Sequence, residues 1–293
     1  MSSLGTRLAI TRALVSRSLR VFRHSYSSLV LALVSPVVLW VFFLALIRPQ
    51  TVSFLEMITD QEVASISDAW VFATVAVLSA FPTTLAVLTG FLADYRSGRL
   101  GLLLASGVKK GQLVWGYIIG ATLVAFMISG GLVVIGQVWA LAFGQPTMTV
   151  QLALSVTGSV LAAAFFFAVL NATVLSFTVS HSAFGAYCFL GGTIVGILTL
   201  SYTLNHGSGL YQITGVLPFA QLAALVRQPL ITPGMASIDE KITPEILNLL
   251  GTQIHIINGG TWPIWMILAF LAAWTGFALI LCQMRVRHLL RDR

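Results

Sequence analysis

Apolar residues gather into six long runs along the chain, at 28–47, 70–93, 113–138, 152–178, 183–204 and 262–283. Each covers about 20 residues or more, and at about 1.5 Å per residue that crosses a hydrocarbon core of about 30 Å. The pattern predicts six membrane-spanning helices in a single domain, 28–283. The runs do not alternate polar and apolar positions over stretches of about ten residues, which excludes a transmembrane barrel. The third and fourth runs exceed the required length, and tilt or continuation beyond the lipid accommodates the excess. Only Ser180, His181 and Ser182 separate the fourth run from the fifth.

Three other segments have patterns of their own. Residues 1–27 read as a basic amphipathic helix. At about 100° per residue, Leu8, Ile10, Leu14, Val15, Leu19, Val21 and Phe22 take one half of the wheel. Arg12, Arg17, Arg20 and Arg23 take the other. Such a helix lies in the membrane interface, as a headgroup anchor or in touch with a cytoplasmic partner. In the loop 94–112, charges flank a short apolar helix at 100–105. Ser106 and Gly107 stop it, and Lys109 and Lys110 precede the third span. Its leucine face needs a cover, either the protein's own helices or a groove on a soluble partner. The segment 205–261, about 57 residues long, exceeds a plain connector. Within it, Thr243, Pro244 and Glu245 read as N-cap, first helical position and first-turn acid of a helix at 244–250. Gly251 reads as its stop. Residues 216–226 form a second apolar piece. Both pieces either cap a central pathway or pack in the interface.

Composition agrees with the pattern. Of 293 residues 57% are hydrophobic and 9% charged, and the mean hydropathy is +0.94. A soluble domain carries about 25% charged residues, and disorder needs low hydrophobicity, so both are excluded. The net charge of +7 is a matter of placement. Thirteen of the sixteen basic residues fall in the N-terminal segment, the loop after the second span and the tail 284–293. Six spans put these three on one side. Opposite them lie Glu56, Asp60, Glu62, Asp68, Asp239, Glu240 and Glu245, with Arg48, Arg227 and Lys241. Both termini are therefore expected in the cytoplasm, and nucleic acid is excluded as a partner. The first run is long for a signal peptide and lacks a small-residue cleavage site, so it is kept as a span.

Candidate chemistry is sparse. Read in this way, the span interiors hold no Asp, Glu, Lys or Arg, which speaks against ion-coupled transport and ion channels. Mild polar groups remain: Thr83 and Thr84 beside Pro82, Asn171, and Thr193 and Thr199. They read as local repair of a proline kink and interhelical bonding, or as a weakly polar path for an amphiphile. Gly116-x-x-x-Gly120 and Gly192-x-x-x-Gly196 allow close helix approach. Cys188 and Cys282 sit in apolar runs and read as small buried hydrophobes. The five histidines are scattered, without metal-ligand spacing, and no acid in a span supports a nucleophilic triad. No phosphate-loop motif occurs, so any ATP must be bound by another polypeptide.

The loop 94–112 resembles the coupling segment of six-span, type-2 permeases of ABC exporters. That segment has an acid, a glycine, a short leucine helix, a small-residue stop and basic residues before a span. Asp94, Gly98, Leu102, Leu103, Leu104, Ser106, Lys109 and Lys110 stand at matching positions, with Arg96 and Arg99 between them. Gly101 and Gly107 depart from the second acid and the proline that many members carry. The resemblance extends to the amphipathic first helix, six spans and a Pro-bounded stretch at 217–229 in the last long loop.

The resemblance implies a transport subunit without its own ATP site or catalytic activity, in the plasma membrane of a bacterium. Two permease halves, identical or homologous, would work with two separate ATPase subunits that carry ATP and Mg. The loop would dock in a cleft of the ATPase. Few uncharged polar groups along the spans suit an amphipathic or hydrophobic cargo, such as a drug, antibiotic, peptide or lipid, with drug or antibiotic efflux the favoured expectation. The alternatives are an integral-membrane enzyme using the acids Glu56, Asp60, Glu62 and Asp68, and a scaffold without transport.

Overall fold

The computed structural model describes residues 3–61, 63–178, 180–204, 217–252 and 262–289. The helices are α1 (Ser3–His24), α2 (Tyr26–Glu56, with a π turn at Phe43–Ile47), α3 (Ala64–Arg96), α4 (Arg99–Ala105) and α5 (Lys110–Ala142). They continue as α6 (Val150–Phe177), α7 (His181–Leu204), α8 (Pro218–Met235), α9 (Thr243–Leu249) and α10 (Ile264–Leu289). Among the described residues there is no strand. The protein is an all-α membrane protein, and α2, α3, α5, α6, α7 and α10 are long and apolar enough to cross a membrane. Each predicted run falls on one of these six. The two ends of the bundle are named below for the residues that mark them, basic and acidic.

The axis of the bundle is α3. Every residue from Trp70 to Leu88 is buried except Pro82. Around α3 pack α2, α5, α6 and α8. Three glycines of α5 allow the closest approaches. A Cβ at Gly116 would stand 2.6 Å from Leu14 Cβ, and one at Gly120 would stand 2.9 Å from Ser18 Oγ. One at Gly136 would stand 2.7 Å from Phe72 Cγ. The first glycine pair thus seats α1, which buries Leu14 and Ser18 against α5 with α3 alongside, while Leu8, Arg12, Ser16, Arg20 and Arg23 stay exposed. The second pair does not act in this way: among the described residues nothing lies within 4 Å of a Cβ at Gly196.

Three expectations are corrected. The apolar pieces of the external segment 205–261 are expected to cap a pathway or pack in the interface, yet α8 within it is almost wholly buried against α3, α6 and α7. Along α8, Phe219 stacks on Phe167, which meets Phe81; Arg227 reaches Thr74; Gly234 faces Ile66. The register shows that α8 starts at mid-bundle and rises antiparallel to α3 towards the acidic end. It passes through Pro229 and Pro233 without stopping. The bundle interior also holds charge: α3 begins earlier than predicted and takes in the buried Asp68, and α8 brings in Arg227. Lastly, Thr243 is not the N-cap of α9. Ile242 occupies that position, and the Thr243 hydroxyl donates to Asp239 O at 3.0 Å. Gly251, at φ 62°, does end the helix.

Candidate functional site

At the basic end the last turn of α3 meets α1 and α5. Asp94 is 2% exposed there. Arg17 of α1 forks onto it, Nη1 to Oδ2 at 2.7 Å and Nη2 to Oδ1 at 2.8 Å. Tyr117 of α5 donates its hydroxyl to Asp94 Oδ2 and accepts from Arg17 Nη1 at 3.0 Å. Bonding to Asp94 pushes the Arg17 guanidinium further above its ordinary value. Arg99, at the start of α4, lies 4.0 Å from Asp94. The expected docking acid therefore faces inward, where a planar fork and a phenol satisfy it.

The short helix α4 hangs from this joint between two left-handed glycines, Gly98 at φ 75° and Gly107 at φ 89°. Space around both is open, so glycine is needed there for the backbone and not for packing. Leu100 is buried, Leu103 and Leu104 are half-buried, and Leu102 is 73% exposed. Only one of the three matched leucines is fully presented. Ser106 Oγ donates to Leu103 O at 2.7 Å and the Lys109 N–H to Gln112 Oε1 at 3.0 Å, fixing the return into α5. Lys110 Nζ donates to Arg287 O at 3.3 Å, which ties the loop to the end of α10. Arg96 is half-buried beside this joint.

The five mid-span polar positions divide. Asn171 of α6 donates from Nδ2 to Phe81 O at 2.9 Å and Thr84 Oγ1 at 2.7 Å, and accepts from the Tyr187 hydroxyl at 2.5 Å. This joins α3, α6 and α7 next to Pro82. Thr84 also donates to Ala80 O at 2.8 Å, as a residue near a proline break does. Thr83 is buried and its hydroxyl has no partner among the described residues. Thr193 is exposed and bonds Phe189 O, while Thr199 is buried and bonds Val195 O. Pro82 and Phe81 also line an apolar groove of about 890 Å³ between α2, α3 and α7, with Val34, Leu78, Cys188 and Gly192.

At the acidic end stand Asp68, expected among external acids, and Arg227, to which the sequence assigns no role; both are buried. Asp68 accepts from Arg48, from Gln145 Nε2 at 2.8 Å and from Trp139 Nε1 at 3.3 Å. Arg227 is fully buried. Its Nε donates to Thr74 Oγ1 at 3.0 Å, its Nη2 to Thr199 O at 3.4 Å and its Nη1 to Leu250 O at 3.5 Å. Its Cζ lies 5.1 Å from the centre of the Trp70 ring. A lone charge in the apolar stretch 218–235 was the available signal. Tyr117 and Tyr187 gave none beyond their polar tips.

Among the described residues no group of three or more His, Cys, Asp or Glu side chains is placed to hold a metal. What the arrangement offers is a presented leucine on a rigid joint, a sideways apolar groove with a polar wall, and a buried cation. Neither protein-family models nor curated proteins give a match to this chain.

Proposed function

We propose that this protein is the permease subunit of an ATP-driven exporter of the type-2 ABC kind, working as a pair with separate ATPase subunits. The observation that supports this most is the joint at Asp94. A docking helix transmits force only if its base is stiff. Here α4 is held by a buried, forked ion pair that also ties in α1 and α5, so a push on Leu102 reaches three helices at once. In this reading Asp94 and Arg17 carry motion, and Leu102 with its basic neighbours Arg99 and Lys109 meets the ATPase, which holds ATP and Mg.

The groove between α2, α3 and α7 suits an amphipathic or hydrophobic cargo, with Asn171, Thr84 and Tyr187 behind its wall. A second copy, or a homologous half, would close it into a path. Asp68 is consumed by Arg48, Gln145 and Trp139, which leaves the acid set of the enzyme reading without its buried member.

The test is purification from native membranes in mild detergent, with partners identified by mass spectrometry. A stoichiometric soluble subunit carrying a phosphate loop is expected. Leu102→Asp should abolish that association without changing the amount of inserted protein. Normal co-purification of the variant would remove the docking role of α4. If the wild-type chain emerged alone, the exporter reading would fall.

A further inference from the structure

Arg227 is a full cation with none of its surface exposed, placed in the interior of a membrane-spanning bundle. Removing such a charge from water is costly unless a counter-charge is near. Among the described residues it has none. Its partners there are a hydroxyl, two carbonyls and the Trp70 ring. The nearest acid along α3, Asp68, is already shared by Arg48, Gln145 and Trp139.

The geometry around it is that of an unfilled fork. A guanidinium has five N–H groups, two on each terminal nitrogen. Each terminal nitrogen uses one, on a carbonyl at 3.4 or 3.5 Å, long enough for an oxyanion to displace. Arg227 meets α3 through Trp70 and Thr74, and Ser67 shares their face of the helix, the three lying at i, i+3 and i+7. The Ser67 hydroxyl is fully buried and has no partner among the described residues. A buried cation with spare parallel donors, with an idle hydroxyl one turn along α3 from the Trp70 ring it rests on, is the equipment for holding a planar or tetrahedral oxyanion.

We propose that Arg227, with Thr74 and Ser67, binds an oxyanion group, carboxylate or phosphate, in the acidic half of the bundle. The site deepens the permease reading, on which it rests for the ligand's role as cargo: the exported amphiphile carries a negative head. As the head arrives, the guanidinium releases the carbonyls of Thr199 and Leu250, which loosens α8 from α7 and from the end of α9. Binding and outward opening would thus be one event.

The test uses the purified full chain in maltoside micelles, without ATP or ATPase. Thermal unfolding is followed while dodecyl phosphate, inorganic phosphate or dodecyltrimethylammonium is added. Dodecyl phosphate should stabilise the wild type saturably, and the cation should not. Stabilisation by inorganic phosphate alone would assign the site to a free anion; a requirement for the dodecyl chain would assign it to an amphiphile. Arg227→Met should weaken the phosphate effect by roughly tenfold or more, and Arg227→Lys, which keeps charge but not the fork, by less. General attraction survives the loss of one basic residue in sixteen, so only a local site responds in this way. Should Arg227→Met fail to fold, Ser67→Ala with Thr74→Val leaves the cation in place and should still cut the affinity. Equal affinity in wild type and variants, or no saturable effect in the wild type, overturns the proposal. Loss of the site with ATPase co-purification intact would leave the permease reading standing, and the converse result would leave the site standing.

Discussion

Asp94 is a carboxylate that its own fold shields almost completely, so it depends on the residues that reach it. Arg17 supplies two charge-assisted bonds and Tyr117 a third. Replacing Arg17 by Met would leave the charge with the phenol and the exposed Arg99 at 4.0 Å. An unpaired buried group of this kind costs on the order of 2–3 kcal/mol. Removing the charge as well, with Asp94→Asn on the Arg17→Met background, should recover part of that. Unfolding of the two single variants and the double variant gives a coupling energy, expected at about 1 kcal/mol or more for groups in direct contact. Additive losses would show that the fork contributes nothing to the joint. This pairing was out of reach of sequence reasoning. Arg17 and Asp94 are 77 positions apart, and each has another reading in the sequence, one as a headgroup contact on a polar helix face and one as the acid of a coupling loop.

At the scale of elements, the six spans were legible because a run of 20 apolar residues has few other solutions. The seat of α1 was half legible. The glycine pair on α5 announced a close neighbour without naming it, and the amphipathic pattern announced a covered face without saying by what. Their junction decides both. At Gly116 the clash would be with Leu14 Cβ, an atom fixed to the backbone, so any side chain there must move the whole helix. Gly116→Leu should therefore lift α1 and let trypsin cut after Arg12 and Arg17 several-fold faster, while Gly131→Ala, where space is open, should not. Equal cleavage in both would mean that α1 is held elsewhere. By contrast the depth of α8 was hidden: its apolar start at 216–226 is legible, but Arg227, Gln221 and three prolines in the 18 residues keep it from reading as part of the bundle. Only packing on Phe167, Thr74 and Ile66 reveals its depth. Thr243 misled for a local reason: a Thr-Pro pair fits a helix start in two registers, and the Asp239 carbonyl draws the hydroxyl into the second.

For the whole molecule, the question is what covers the groove between α2, α3 and α7. Its walls are apolar, and the outer rows of α2 and α7, with Val37, Val38, Phe189 and Ile194, are about half exposed or more. Lipid and a second copy satisfy such a surface equally well, because lipid tails are as apolar as the side chains. The two cysteines distinguish them. Cys188 lines the groove and is half-buried, whereas Cys282 is 1% exposed and closed off. If two copies face each other across α7, a short bis-maleimide should join them through Cys188 in native membranes. Cys188→Ser should abolish the product and Cys282→Ser should leave it unchanged. A stable pair gives a yield that survives dilution with excess lipid in reconstituted vesicles, while chance encounters give one that falls with protein density. A falling yield would place lipid over the groove and the partner half elsewhere. A constant yield would make the cargo path a cavity between copies, with Pro82 and the Asn171 network behind each wall.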